Sequence, residues 1–277
     1  MTSHIETIIL KKSLTANVFS ELDEFDASSK RTRRFTVGRA RALTLLASLG
    51  DVSANDVQLR LVSHNTRNEI NGLEYAIQSP SVFVDYFKDD SYLLTSDERI
   101  TVTVKSVNAD YVQVYLTIFY DRPTIDVNGN FISLSQLLRL NRQKVTKLLS
   151  FTMNGTNAPS WKSFASQVGN YNKSSRYALL GATSKQYEFD GGGAINPYVF
   201  VMSGKATGGS LLAFPANQAQ MGFEYTGNYF ARLSEDFGDI ASIPVLDGAS
   251  METTFFDLWG DDTADQTFKG TLHLVQI

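Results

Sequence analysis

Ile100-Thr-Val-Thr-Val-Lys105, followed after Asn108-Ala-Asp110 by Tyr111-Val-Gln-Val-Tyr-Leu-Thr-Ile-Phe-Tyr120, decides the fold class of this chain. In the first stretch Ile100, Val102 and Val104 alternate with Thr101, Thr103 and Lys105. In the second, Val112, Val114, Leu116 and Ile118 alternate with Gln113, Tyr115, Thr117 and Phe119. A period of two sends successive side chains to opposite faces, which is the signature of a strand. The polar break between the two stretches makes them a hairpin or a neighbouring pair.

The same pattern extends in both directions. Upstream, Val57, Leu59 and Leu61 alternate with Gln58, Arg60 and Val62, and Asn71-Gly72 is a tight-turn dipeptide. Arg41–Leu49 is apolar enough for a helix or a buried strand, and its neighbours favour the strand. Downstream, Tyr198–Met202, Leu211–Phe214, Met221–Tyr225, Ile243–Leu246 and Met251–Trp259 are strand candidates separated by turn signals. Phe268, Leu272 and Leu274 then alternate with Lys269, Thr271 and His273. Residues 35–120 and 185–277 are thus two β stretches similar in pattern, as a duplication would leave them. Short strands punctuated by turns predict sandwiches or jelly rolls, and the alternation argues against a parallel βαβ sheet.

Two segments have helical spacing instead. Ser133-Leu-Ser-Gln136 has the form of a capping box, and Leu134, Leu137, Leu138, Val145, Leu148 and Leu149 share one helical face. This predicts a helix over Ser133–Leu149, docked by its apolar side between the two β stretches. Leu14, Val18, Leu22 and Phe25 form a second stripe, predicting an amphipathic helix in an N-terminal arm. The expected organisation is all-β, with two tandem jelly-roll β-sandwiches joined by a helix-containing connection. Residues 1–122 are the first with its arm, 123–184 the helical and loop connection, and 185–277 the second.

Composition narrows the functional classes. At 277 residues with 43% hydrophobic and 19% charged side chains, the chain can bury a sizeable core. It has no cysteine, which excludes disulfides, thiolate metal ligands and thiol nucleophiles. No apolar run reaches the roughly 18–20 residues a membrane-spanning helix needs, and the opening Met1-Thr-Ser-His-Ile-Glu6 does not resemble a signal peptide. The net charge of −4 argues against a generic nucleic-acid binder. Residues 1–150 hold 18 basic and 17 acidic side chains, and residues 151–277 hold 7 and 12.

No constellation declares a reaction. His4, His64 and His273 are far apart and show no zinc-ligand spacing. No G-x-S-x-G elbow is present, and Gly191-Gly-Gly193 and Gly204–Gly209 match no phosphate-binding loop. The acidic doublets Asp89-Asp90, Asp97-Glu98, Glu235-Asp236 and Asp261-Asp262 fit no EF-hand pattern. The expectation is no catalysis and no cofactor, with a structural calcium ion not assignable to any motif. Lys30, Arg31, Arg33, Arg34, Arg39 and Arg41 form a basic cluster suited to an anionic membrane surface or a neighbouring subunit. Trp161 and Tyr171 are aromatic candidates for sugar stacking or interface anchoring.

With two β units of this length, an inter-unit helix, absent cysteines and Gly155-Thr-Asn-Ala-Pro-Ser-Trp161, the chain resembles the double jelly-roll major capsid proteins of tailless, membrane-containing viruses, in particular the compact corticovirus-like members. The resemblance covers nearly the whole chain. It implies a structural virion protein whose homotrimers form pseudo-hexagonal capsomers of an icosahedral shell over an internal viral membrane. It further implies neighbouring capsomers and minor capsid proteins as partners, no specific nucleic acid, and synthesis in the host cytoplasm before incorporation into the virion. The competing expectations are a carbohydrate-binding tandem β-sandwich, as in a fibre or lectin-like module, and a β-sandwich hydrolase.

Overall fold

The structure is a computed structural model. It describes residues 5–24, 35–37, 40–49, 57–63, 73–77, 82–85, 98–107, 111–120, 131–140, 144–153, 162–163, 171–186, 199–204, 211–215, 227–237, 243–259 and 266–277. Cα packing divides the chain into two compact units, residues 8–120 and residues 121–277 together with 1–7. Both are built from β-strands.

The first unit contains β1 (Ile5–Ser13) from Ile8 on, β2 (Ser20–Glu21), β3 (Asp23–Glu24), β4 (Phe35–Val37), β5 (Ala40–Leu49), β6 (Val57–Ser63), β7 (Leu73–Ile77), β8 (Val82–Asp85), β9 (Glu98–Lys105) and β10 (Tyr111–Tyr120). One sheet runs β3-β1-β10-β5-β8, and the other runs β2-β9-β6-β7 with β4 also on β9. The alternating stretches that decided the fold class are β9 and β10. They are not partners of each other: β9 lies beside β6 and β10 beside β5, in separate sheets. The expected hairpin is therefore a crossing between sheets. Alternation fixes which residues share a face, and it leaves the partner open. Leu10 from the first sheet and Val102 and Val104 from the second are buried, so both sheets contribute to the core.

The stripe Leu14, Val18, Leu22 and Phe25 does not form a helix. Asn17 adopts φ 61°, a left-handed conformation that asparagine tolerates and a right-handed helix cannot contain. The Asn17 amide donates to Ser106 O at 2.7 Å and the Leu22 amide to Val102 O at 2.9 Å, which ties the segment to β9 as a turn followed by β2 and β3. Leu14 and Leu22 are buried, Val18 is exposed, and Phe25 lies outside the described residues.

The second unit contains β11 (Phe131–Ile132), α1 (Leu134–Arg139), β12 (Lys144–Met153), β13 (Lys162–Ser163), β14 (Arg176–Gln186), β15 (Val199–Gly204), β16 (Leu211–Pro215), α2 (Tyr229–Phe237), β17 (Ile243–Asp247), a 3-10 turn at Ser250–Thr253, β18 (Thr254–Trp259) and β19 (Gln266–Gln276). Its sheets run β11-β17-β14-β19-β12 and β13-β18-β15-β16.

The capping box forms as the sequence indicates. Ser133 Oγ accepts from the Gln136 amide and Gln136 Oε1 accepts from the Ser133 amide, both at 3.1 Å. The helix ends after six residues, however, and the continuation expected as helix to Leu149 is β12. From Lys144 on, Val145, Lys147, Leu149, Phe151 and Met153 also alternate with Lys144, Thr146, Leu148, Ser150 and Thr152. Ten consecutive pairs with β19, from Lys144↔Val275 to Met153↔Gln266, outweigh the helical reading of the same leucines. Residues 123–184, expected as a helical and loop connection, accordingly include β11, α1, β12, β13 and most of β14.

The core of the second unit is aromatic. The Phe214 ring in β16 lies 5.3 Å from Phe200 in β15, 5.1 Å from Phe230 and 6.5 Å from Tyr229 in α2, centroid to centroid. All four are buried, so the first turn of α2 is held by ring contacts of the kind that add to plain area burial. α2 packs on β14 and β17, and its Leu233 is buried.

Numbering the principal strands of each unit one to eight in chain order shows a shared plan. In the first unit β1, β2 with β4, β5, β6, β7, β8, β9 and β10 take those places, and in the second β12 to β19 do. The sheets are then one-eight-three-six and two-seven-four-five in both units, with β3 and β11 as additions at the sheet edges.

Candidate functional site

A groove lies beside α1 in the second unit. It has a volume of about 430 Å³ and is lined by Phe131, Ile132, Gln136, Arg139, Leu140, Arg176, Val245 and Ile277. The topology explains the meeting of distant residues. β11 pairs with β17 through Phe131↔Pro244 and Ile132↔Ile243, and β14 pairs with β17 through Arg176↔Asp247 and Ala178↔Val245. The Ile277 amide donates to Arg176 O at 2.8 Å, bringing the end of β19 to the start of β14. Arg139 is in the last turn of α1, where a cation suits the helix dipole.

Its lining includes the buried Ile132 and Val245 together with Arg139 and Arg176. Leu138 and Leu140, on either side of Arg139, are 71% and 41% exposed. The docked apolar helix face expected from the sequence is thus only partly realised, because Leu137 is buried and Leu138 points to solvent. Arginines and apolar residues lining one groove suit a carboxylate attached to an apolar group. The sequence offered no pointer to this pairing. Arg139 and Arg176 are 37 positions apart, and only the β11–β17–β14 order joins them.

A second cationic arrangement lies on the first unit. The Arg60 guanidinium carbon is 3.5 Å from the Phe19 ring centroid, and Lys105 Nζ is 5.6 Å from it. The register Gln58↔Lys105 and Arg60↔Thr103 places both cations on the half-buried side of β6 and β9, opposite Val102 and Val104. This cation–π cluster holds the chain just before β2 against that sheet.

Of the histidines expected from sequence to be ordinary, His4 and His64 lie outside the described residues. His273 is buried in β19, with Nε2 3.1 Å from Thr183 Oγ1 of β14. Burial, and secondarily the charge of Lys144, lower its pKa to about 4.

In the basic cluster Lys30, Arg31, Arg33, Arg34 and Arg39 lie outside the described residues. Arg41 falls in β5 where pairing with β10 shifts, Ala42 opposing Phe119 and Ala40 opposing Tyr120, so its backbone is the bulged position. Trp161, Asp89, Asp90, Asp97, Asp261 and Asp262 are also outside the described residues. Tyr171 is half-buried before β14, and Glu235 is exposed on α2. Among the described residues no three His, Cys, Asp or Glu side chains cluster as metal ligands, and no helix is long and apolar enough to cross a membrane.

No family model matches the chain, and no curated protein sequence matches it. Among solved structures it is similar to the STIV MCP, at 9% identity and a TM-score of 0.24 over 99% of this chain and 96% of that one. It is also similar to the major capsid protein P2 from Bacteriophage PM2, at 8% identity and a TM-score of 0.23 over 98% and 97% of the two chains. Likeness at this level is too slight to bear on function, and the strand order of the chain itself is the stronger ground.

Proposed function

We propose that each unit is an eight-stranded jelly roll and that the chain is a structural coat protein, a major capsid protein of the double jelly-roll class. The observation that carries this reading is the repeated sheet order, one-eight-three-six and two-seven-four-five, in both units. That order is the jelly-roll arrangement of two Greek keys, an architecture common in viral capsid and lectin domains. Two such units in one chain supply two rigid wall elements. Three chains about a closed threefold axis supply six, a pseudo-hexagonal capsomer able to tile an icosahedral shell.

In this reading the partners are two further copies in a homotrimer, then neighbouring capsomers, minor capsid proteins and an internal viral membrane. The site of action is the virion capsid, and no step of chemistry is required. Loops at the ends of each sandwich remain free to vary without disturbing the walls. The test is electron microscopy of concentrated purified protein. Particles of hexagonal outline with six similar density lobes support the reading. Monodisperse single-chain particles at the same concentration contradict it.

A further inference from the structure

We infer that Asn172, on the exposed turn that leads into β14, is an acceptor for an N-linked sugar. Asn172-Lys-Ser174 has the N-x-[ST] form of such an acceptor. The form occurs twice in the chain, here and at Asn154-Gly-Thr156, and Asn154 lies outside the described residues. The inference is independent of the coat-protein reading and concerns a different part of the surface from the groove.

The geometry separates what the turn uses from what it leaves over. Asn172, Lys173 and Ser174 are all exposed. Asn172 Oδ1 accepts from the Ser174 amide at 2.9 Å, the bond of an Asx-turn. The Asn172 amide donates to Tyr177 Oη at 2.8 Å, the Tyr177 hydroxyl donates back to Asn172 O at 3.3 Å, and the Ser175 amide donates to Asn172 O at 3.1 Å. Tyr177 is buried, so the turn is anchored at its base. Among the described residues Asn172 Nδ2 and the Ser174 hydroxyl have no hydrogen-bond partner. An aspartate at position 172 would make the same turn bond, so the fold has no use for the nitrogen. The two groups the fold leaves over are the two that define the acceptor.

The donor is a sugar activated as a phosphate ester at its anomeric carbon, linked to a nucleotide or to a lipid. The bond from Nδ2 to the anomeric carbon forms as the bond from that carbon to the phosphate oxygen breaks. The phosphate leaves with the electron pair, and one Nδ2 proton passes to a base of the transferase. The attached sugar is bulky and solvated, and it keeps this turn out of contacts between copies.

The test is peptide mass spectrometry on the full chain recovered from the cells that make it naturally, with Ser174→Thr and Ser174→Ala made in the same cells. Both variants keep Asn172 and the backbone amide that its side chain accepts from, and circular dichroism checks their folding. Wild type and Ser174→Thr are expected to carry sugar on the peptide holding Asn172, and Ser174→Ala to lose it. In parallel, the purified folded chain is offered a nucleotide-linked hexose with a soluble N-glycosyltransferase, and a lipid-pyrophosphate oligosaccharide with a membrane oligosaccharyltransferase. Transfer to Asn172 from either donor supports the inference and names the source. A bare Asn172 in the natural chain, sugar confined to the Asn154 peptide, sugar retained in folded Ser174→Ala, or transfer from neither donor overturns it. Each of these outcomes leaves the coat-protein reading untouched.

Discussion

His273 Nε2 and Thr183 Oγ1 lie 3.1 Å apart inside the second unit, joining β19 to β14 through side chains whose positions are 90 residues apart. The hydroxyl is able to donate to a neutral imidazole or accept from its N–H, and both arrangements are open to an uncharged ring.

The first prediction concerns acid. Burial, followed by the charge of Lys144, lowers the His273 pKa from 6.5 to about 4, so the unfolded chain takes up a proton that the folded chain refuses. Stability from this group is complete above about pH 6.5 and is lost as pH falls towards about 4. After allowance for screening by solvent, the total is on the order of 2 kcal/mol. Urea unfolding of wild type and His273→Gln from pH 7 to 5 is the check. Wild type is expected to lose stability over this range, and the variant to show a flatter profile.

Gly248 gives a steric prediction. A Cβ at this position would lie 2.5 Å from Asn172 O, 2.6 Å from Ser175 O and 3.0 Å from Lys173 O. These are backbone atoms, fixed in turn by the Ser175 amide on Asn172 O and the Gly248 amide on Ser175 O. Gly248→Ala is therefore expected to cost about 1–3 kcal/mol, the usual range for forced overpacking. Ala249→Gly, at the exposed neighbouring position, is expected to cost less. Denaturant midpoints measure both.

Phe214 tests the aromatic core. It is fully buried among Phe200, Tyr229 and Phe230, and removing the ring leaves a cavity beneath α2. Phe214→Ala is expected to destabilise the protein by about 3–5 kcal/mol, with Phe214→Leu recovering part of the loss. Equal midpoints for Phe214→Ala and wild type would show that α2 is not held by these rings.

How far the fold was legible depends on the range of the signal. Alternation at Ile100–Lys105 and Tyr111–Tyr120 marks strands because a half-buried sheet leaves a local trace. Ser133 and Gln136 mark a helix start because capping is also local, with bonds that close over three residues. The stretch Val145–Leu149 fits both periods, and the pairing that decides it comes from β19, more than 120 residues later. At Leu14–Phe25 the apolar spacing matched a helix, while the deciding feature was the left-handed Asn17 and its bond to Ser106. The groove was hidden for the same reason. Arg139 and Arg176 line one groove only through the sheet order, which no local pattern contains.

The central claim is that two tandem jelly rolls serve to build a threefold wall unit. Mass photometry or multi-angle light scattering on the folded, purified chain at micromolar concentration tests it most directly. A species of three times the chain mass is the predicted result, as expected of an obligate interface of roughly 2,000 Å² or more. A single-chain mass at that concentration, with the circular dichroism of a folded β protein, would contradict the account.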